Sequence, residues 1–200
     1  MPGFLKSVYG MKTEEDIRRL YADWSQSYDR EVGEAGYVTP TRVATALRAA
    51  GADPEARLLD FGCGTGISGM ALAAAGFRAI DGVDLSPEML DKAADKRIYA
   101  KLRVIGATDP VPGGYPSVAA IGVIGPGAAP LGLLDRLVEA LAPGALLGFS
   151  FNDHALADPA FPARVTALAG EGTVAELFAE HGPHLPAIGI GATVYILQKQ

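Results

Sequence analysis

The feature that most constrains this chain is a run of alternating glycines at residues 62 to 69, Gly-Cys-Gly-Thr-Gly-Ile-Ser-Gly. The apolar run Leu58-Leu59-Asp60-Phe61 precedes it, and an alanine-rich stretch follows it as far as Gly76. The apolar run suits a buried parallel strand, and the alanine-rich stretch has the composition of a helix. Glycines between them leave no Cβ atoms to keep a ligand away from the main chain, and the first N–H groups of the helix would face that ligand. The sequence therefore predicts a strand, a turn and a helix that together cradle a cofactor.

Two kinds of cofactor fit a glycine turn of this sort. Residues 64 to 69 match the dinucleotide pattern Gly-x-Gly-x-x-Gly, which favours NAD. However, Asp60 stands two positions before the first glycine, at the predicted end of the strand. A carboxylate there would repel a pyrophosphate and attract the cationic amino end of a methionine moiety. The residues favour a methionine-bearing cofactor, and an NAD-dependent oxidoreductase is the alternative, although the chain has neither a Tyr-x-x-x-Lys pattern nor room for a substrate domain.

A second acidic residue, Asp84, ends the next predicted strand at residues 78 to 84. The pattern Asp60-x-Gly-x-Gly-x-Gly resembles motif I of the class I S-adenosylmethionine-dependent methyltransferases. Residues 84 to 90, Asp-Leu-Ser-Pro-Glu-Met-Leu, are also very similar to the sequence that this family usually has after its second strand. The resemblance implies that S-adenosyl-L-methionine is the cofactor and S-adenosyl-L-homocysteine the product. It further implies that Asp84 accepts hydrogen bonds from the ribose hydroxyls and that Leu85 packs on the adenine.

Two further segments join the implied site. Residues 24 to 29 resemble a Trp-x-x-x-Tyr-Asp segment that forms a lid in many small-molecule methyltransferases, which would bring Tyr28 near the methionine end of the cofactor; packing in the core is the alternative for Tyr28. Asp109 stands where the family carries an acid that accepts from the adenine amino group. The implied cofactor site thus comprises Tyr28, Asp60, Gly62, Cys63, Gly64, Gly66, Asp84, Leu85, Met89, Thr108 and Asp109. The acid that the family places before its fourth strand is missing, since residues 115 to 117 are Tyr-Pro-Ser.

Strand and helix patterns alternate along the chain. Further strands are predicted at 101–106, 118–124, 146–151 and 192–198, and helices at 13–24, 39–50, 86–94, 131–141 and 159–169. Residues 173 to 180 are ambiguous, because their apolar spacing fits a helix whereas the resembled fold has its sixth strand there. This alternation predicts an α/β protein with a parallel sheet. The resemblance implies a Rossmann-like, doubly wound, seven-stranded, mostly parallel sheet with helices on both faces and an antiparallel last strand.

Composition limits the organisation and the partners of the protein. Two hundred residues suit one domain, in which residues 1 to 50 would form a helical lid and residues 56 to 200 the Rossmann-like core. A net charge of −6 with scattered basic residues disfavours a nucleic-acid partner. The uncharged stretch 117–134 is interrupted by prolines, which argues against a membrane span. One cysteine, Cys63, excludes an intramolecular disulfide and suits a reducing, cytoplasmic location; it is either a nucleophile or, as we favour, a small side chain that fills the turn.

The residues indicate a reaction more clearly than a catalytic group. Methyl transfer is an in-line displacement that needs a bound donor and a positioned acceptor, with a base only for a protonated acceptor. Of the three histidines, His154 alone follows a predicted strand end closely, and it is a weak candidate for that base. No metal site is predicted. Because residues 125 to 130 carry no charged group, we expect a small, uncharged acceptor. A protein that binds S-adenosylmethionine without turnover is a further alternative, and the sequence does not indicate an oligomeric state.

Overall fold

A sheet of seven strands crosses the part of the chain that the computed structural model describes, which comprises Arg19, Trp24 and residues 27 to 200. The strands are β1 (Arg57–Phe61), β2 (Ala79–Asp84), β3 (Lys101–Val104), β4 (Ser117–Ala120), β5 (Leu146–Asn152), β6 (Val174–Leu185) and β7 (Ile190–Lys199). Their order is β3-β2-β1-β4-β5-β7-β6. Strands β1 to β5 pair in parallel, and β7 is antiparallel to both β5 and β6. The prediction of a mostly parallel sheet with an antiparallel last strand is confirmed.

Helices cover both faces of the sheet, as predicted. They are α1 (Tyr28–Glu34), α2 (Thr39–Ala49), α3 (Ile67–Ala74), α4 (Pro87–Asp95), α5 (Gly132–Ala140), α6 (Asp153–Leu156) and α7 (Ala160–Gly170), with a 3-10 turn at Pro186–Ile188. The buried residues of α2 and α3 pack in one apolar cluster with Leu58. Those of α5 and α7 pack in a second cluster with Leu59. Neighbouring residues of a strand point to opposite faces, so these two fully buried leucines fill one core on each side of β1.

Two strands differ in extent from the prediction. Strand β4 ends at Ala120 rather than at residue 124, because Gly122 turns the chain with a φ of +70° and Ile124 forms only an isolated bridge to Ala129. Strand β3 likewise ends at Val104, two residues early. The residues predicted to end these two strands therefore belong to the loops at the carboxyl edge of the sheet.

The ambiguous residues 173 to 180 belong to strand β6. A register shift between Glu176 and Phe178 places an irregularity in the pairing with β7. A bulge of this kind breaks the alternation of inward and outward side chains, which is why Val174, Leu177 and Phe178 mimic helical spacing. Leu177 is accordingly exposed while Val174 is buried. The predicted helix at 13–24 lies outside the described residues except for Arg19 and Trp24.

The fold brings the loops that follow β1, β2, β4 and β5 to one edge. Strand order reverses between β1 and β4, since β2 follows β1 on one side and β5 follows β4 on the other. In open α/β sheets a ligand binds outside the carboxyl ends of the strands at this point. Among the described residues, no helix combines the length and the apolar character needed to span a bilayer.

Candidate cofactor and acceptor site

The glycine loop after β1 folds back onto the end of β2. The N–H groups of Gly62 and Cys63 both donate to the carbonyl oxygen of Val83, at 2.8 and 3.0 Å. The N–H of Gly64 donates to the Asp84 carboxylate at 2.8 Å. These N–H groups are therefore satisfied inside the protein and fix the loop against the second strand.

Two glycines of the loop face different surroundings. Gly62 has a φ of +71°, and a Cβ atom there would stand 2.5 Å from Cγ2 of Val123, which belongs to the loop after β4. Gly64 has a φ of +52° and open space where its Cβ would be. Gly62 thus permits close contact between two loops of the protein, whereas Gly64 leaves room for a ligand to approach the main chain.

Asp84 lies at the tip of β2, beside this open position. One carboxylate oxygen accepts from Gly64 N–H and the other from Ser86 N–H at 2.9 Å. Burial raises the pKa of this carboxyl group, and these backbone donors oppose the rise. Each carboxylate oxygen has a further lone pair, so Asp84 can still accept from a bound diol. Next in the chain, Leu85 is half-buried, while the side chain of Met89 is buried, with 1% exposed.

Asp60 lies beneath the glycine loop rather than at its surface. It is fully buried, and its Oδ2 accepts from Ser68 Oγ at 2.6 Å and from Tyr99 Oη at 2.7 Å. Its Oδ1 has no hydrogen-bond partner among the described residues. Burial raises the pKa of Asp60 to about 6, with a smaller contribution from the charge of Asp84. The sequence predicted that this carboxylate lies within reach of a cofactor; in the structure it is fully buried, and a cofactor contact stays a prediction.

Cys63 fills the inside of the same turn. It is 3% exposed, and burial, followed by the charges of Asp60 and Asp84, raises the pKa of its thiol. A thiol that stays protonated is a poor nucleophile. This placement supports the interpretation of Cys63 as a turn-filling side chain.

The loop after β3 closes on itself. Gly106 N–H donates to the Asp109 carboxylate at 2.8 Å, and the guanidinium group of Arg136 donates to the carbonyl oxygens of Ala107 and Asp109. Thr108 and Asp109 are both exposed. An adenine contact by either residue stays a prediction.

A cleft opens beside the glycine loop, between the loops after β4 and β5, the end of β6 and helix α1. Its empty space, including the open mouth, is about 630 Å³. The residues that line it are Trp24, Tyr28, Val32, Tyr37, Gly122, Ile124, Gly125, Pro126, Ala128, Ser150, Asn152, His184 and Leu185. None of these described residues is an aspartate, glutamate, lysine or arginine. The rings of Trp24 and Tyr28 meet edge to face at 4.6 Å and form an aromatic wall.

His184 is the titratable imidazole of this cleft, and the sequence pattern did not single it out. It is 7% exposed, and its Nδ1 lies 2.8 Å from Thr39 Oγ1. Burial lowers its pKa to about 4, so the ring is neutral at physiological pH. His154, the sequence candidate, is exposed on α6 and is not among the lining residues. His184 lies near the end of β6, which extends to Leu185, and the carbonyl oxygen of His184 accepts a hydrogen bond from Val38 N–H. The sequence would have indicated His184 only if the predicted strand had been extended this far.

Helix α1 connects the glycine loop to the cleft. Tyr28 lines the cleft, and the adjacent carboxylate of Asp29 accepts from Thr65 Oγ1 at 2.5 Å and from Lys96 Nζ at 2.7 Å. Lys96 Nζ also donates to the carbonyl oxygen of Thr65 at 2.6 Å. Sequence reasoning included Asp29 only as part of a lid pattern, and its partners, 36 and 67 residues away in the chain, left no local signal.

Comparisons with known proteins match the chain to methyltransferases. The profile of a methyltransferase domain family matches residues 36–164. Human methyltransferase-like protein 27 is 29% identical over 149 residues, which cover 72% of this chain and 60% of the human protein. The chain therefore spans less than two thirds of the length of that relative.

Solved structures show the same fold at low identity. Magnesium protoporphyrin IX methyltransferase from Synechocystis, with bound S-adenosylmethionine, has a TM-score of 0.62 at 17% identity, covering 98% of this chain and 90% of that chain. The [4+2]-cyclase SpnF has a TM-score of 0.61 at 17% identity, covering 80% of each chain. The second likeness shows that the fold alone does not fix the reaction. With more than half of its length matched by the family profile, the chain belongs to the class I methyltransferases, whose methyl donor is S-adenosylmethionine.

Proposed function

We propose that this protein is an enzyme that transfers a methyl group from S-adenosylmethionine to a small, uncharged acceptor held in the aromatic cleft. The observation that carries the proposal is the contact between the two parts of the site: Val123 lies on Gly62 of the glycine loop, and its neighbours Gly122 and Ile124 line the cleft. A ligand on the loop and a ligand in the cleft would therefore be adjacent.

The residues of the loop suit the proposed cofactor. S-adenosylmethionine, when bound, supplies an electrophilic methyl group on a sulfonium. Asp84 can hold a ribose through its remaining lone pairs, and the open side of Gly64 lets a ligand lie against the main chain. The buried charge of Asp60 favours a cationic amino group above the loop.

The loop suits a dinucleotide less well. A pyrophosphate cradle offers free backbone N–H groups to the phosphate oxygens. Here the N–H groups of Gly62, Cys63 and Gly64 are already bonded within the protein. Two carboxylates close to the loop, Asp60 and Asp84, would also repel a phosphate. These contacts favour a cationic nucleoside over NAD.

The cleft supports the choice of acceptor. Apolar and aromatic side chains line most of it, with a few polar groups among them, which is the usual make-up of a small-molecule site. A carboxylate or ammonium acceptor would need a counter-charge to offset desolvation, and the described lining residues supply none. The neutral ring of His184 and the side chain of Asn152 can instead form hydrogen bonds to a hydroxyl, a carbonyl or an uncharged amine. A role for His154 as a base, and the absence of nucleic-acid and membrane partners, stay predictions, as does a cytoplasmic location.

Calorimetry tests the proposal. S-adenosylhomocysteine should bind in the micromolar range and NAD should not compete with it. Incubation with labelled S-adenosylmethionine and a pool of neutral metabolites should then incorporate label, which distinguishes an enzyme from a protein that only binds the cofactor. Binding no tighter than millimolar, or tighter binding of NAD, would overturn the proposal.

A further inference from the structure

Tyr99, the second residue before β3, lies under the glycine loop in a slot made by three glycines. A Cβ atom on Gly69 would overlap the Tyr99 hydroxyl, one on Gly82 would stand 2.9 Å from Cδ1 of the ring, and one on Gly66 would stand 3.2 Å from Cε2. Gly69 is the glycine that completes the literal dinucleotide pattern in the sequence. In this protein it makes room for a tyrosine.

The hydroxyl group of Tyr99 caps helix α3. The N-cap residue of α3 is Gly66, which has no side chain to accept from the N–H groups of the first turn. Gly69 N–H, in that turn, donates to Tyr99 Oη at 3.1 Å. A residue 30 positions along the chain therefore supplies the oxygen that a serine or aspartate cap normally provides.

The same hydroxyl donates its single hydrogen to Asp60 Oδ2, at 2.7 Å. Ser68 Oγ, also in the first turn of α3, donates to this oxygen at 2.6 Å. A hydrogen bond donated to a carboxylate stabilises the ionised form, and both bonds counteract the burial that raises the pKa of Asp60. The loop, the start of α3 and the buried carboxylate thus share one hydroxyl group.

We propose that Tyr99 is a positioning residue for the cofactor, because its hydroxyl group, bonded to Gly69 at the start of α3, keeps the charge of Asp60 beneath the glycine loop. This inference rests on the proposed function, because it assigns a cationic cofactor to the loop. Tyr99 is half-buried, and its hydroxyl group is held between Gly69 and Asp60. It therefore acts through Asp60 rather than by a contact of its own with the cofactor.

The titratable groups that face Asp60 are Tyr99, Cys63 and Asp84. Burial raises the pKa of Tyr99 and of Cys63, so both are neutral over the range in which Asp60 titrates. The pKa of Asp84 is also raised, so Asp84 makes its own contribution to the pH dependence of cofactor binding. The hydrogen-bond donors to its carboxylate are Gly64 and Ser86 rather than Tyr99. A change confined to Tyr99 therefore reports on Asp60.

The test is the dissociation constant of S-adenosylhomocysteine, measured by calorimetry from pH 5 to 8.5, for the natural protein and for Tyr99→Phe. In the natural protein affinity should fall as Asp60 becomes protonated near pH 6. Loss of one hydrogen bond to a carboxylate should move this fall upward by about one pH unit. The variant should thus bind about 3-fold more weakly at pH 6.5, approach a 10-fold loss at pH 5, and bind nearly normally at pH 8.5. Ser68→Ala, which removes the other donor, should shift the profile in the same direction.

Two controls separate this effect from general damage. Tyr115 donates to another buried carboxylate, Asp81, at 2.8 Å, close to the opposite end of the strands. Tyr115→Phe should alter stability without moving the binding profile. In an Asp60→Asn background, Tyr99→Phe should no longer shift the profile.

Three outcomes decide between the possibilities. An upward shift in Tyr99→Phe that disappears in the Asp60→Asn background supports the inference. A loss by the same factor at every pH would show that Tyr99 is only a structural cap, and an unchanged profile would show no role at all; either result overturns it. Failure of the natural protein to bind S-adenosylhomocysteine would instead refute the proposed function.

Discussion

The two parts of the site are built from the chain in different ways. The cofactor part uses one continuous stretch, from Leu58 through Asp84, with its loop, strand tips and helix in sequence order. The cleft collects side chains as far apart as Trp24 and Leu185. A continuous stretch can carry a motif that is recognisable in sequence, whereas a cleft assembled by tertiary contacts cannot. The comparison teaches that the proposed donor site is encoded by local sequence, whereas the proposed acceptor site is formed only by the fold.

The two parts also differ in electrostatics. Asp60, under the cofactor loop, is an acid whose pKa is raised to about 6, and His184, in the cleft, is a base whose pKa is lowered to about 4. Burial is the main cause in both cases, because it disfavours the charged form of each group. The cofactor part therefore retains a buried charge near neutral pH, while the cleft retains none on its imidazole.

The largest expected effect concerns the cofactor part. Asp84→Ala removes the proposed hydrogen-bond acceptor for the ribose hydroxyls and should weaken binding of S-adenosylhomocysteine by roughly 2 to 4 kcal/mol in calorimetry. Asp91→Ala, an exposed aspartate on the following helix, is the matched control and should bind normally. Equal affinity of the Asp84 variant and the natural protein would remove the ribose assignment.

The opposite pKa shifts predict opposite effects on stability. The folded pKa of Asp60 lies above its unfolded value, so its contribution is present below pH 4 and lost as the pH rises through about 6. The folded pKa of His184 lies below its unfolded value, so its contribution is present above pH 6.5 and lost as the pH falls through about 4. Each amounts to about 3 kcal/mol, and in the natural protein they offset each other.

Urea unfolding of Asp60→Asn and His184→Phe at pH 4 and pH 6.5 tests this. As the pH rises from 4 to 6.5, the unfolding free energy of Asp60→Asn should increase by about 3 kcal/mol relative to that of the natural protein. That of His184→Phe should decrease by about as much over the same range. Parallel curves for all three proteins would show that neither group titrates as assigned.

Two glycine variants separate contacts within the protein from contacts with the cofactor. Gly62→Ala places a Cβ against Val123 at a positive φ and should lower stability by about 1 to 3 kcal/mol in thermal unfolding. Gly64→Ala shares the φ strain but meets open space, so its main additional effect should be weaker cofactor binding. If the ratio of lost stability to lost cofactor affinity is the same for both variants, Gly62 and Gly64 do not differ in the way described.

The smallest effect is expected where the parts join. Lys96→Met removes an ion pair to Asp29, in which the lysine side chain is 17% and the aspartate 47% exposed. Partly exposed pairs contribute up to about 1 kcal/mol, so cofactor affinity should fall only a few-fold. Arg78→Met, which breaks the exposed pair with Glu55, is the control and should have no effect on binding. A loss in the control as large as in Lys96→Met would exclude a specific connection through α1.

These differences also explain how far the sequence could be interpreted. The glycine turn and the tips of β1 and β2 follow from residue type and spacing, and the sheet follows from the alternation of elements. Residues whose role depends on a distant partner were missed, above all Tyr99, His184 and Asp29, because neither Gly69 nor Thr39 reveals in sequence which side chain it accommodates. The bulge in β6 left the periodicity of residues 173 to 180 ambiguous for a similar reason, since the pairing with β7 determines where the strand is irregular.

The central claim is that one edge of the sheet holds the methyl donor on the glycine loop and the acceptor in the adjoining cleft. A crystal structure of the complex with S-adenosylhomocysteine tests it most directly. The account predicts ribose hydroxyls on Asp84, the methionine moiety across Gly64, and the sulfur atom facing the cleft lined by Tyr28 and His184. A ligand seated elsewhere, or a sulfur atom separated from the cleft by protein, would contradict it.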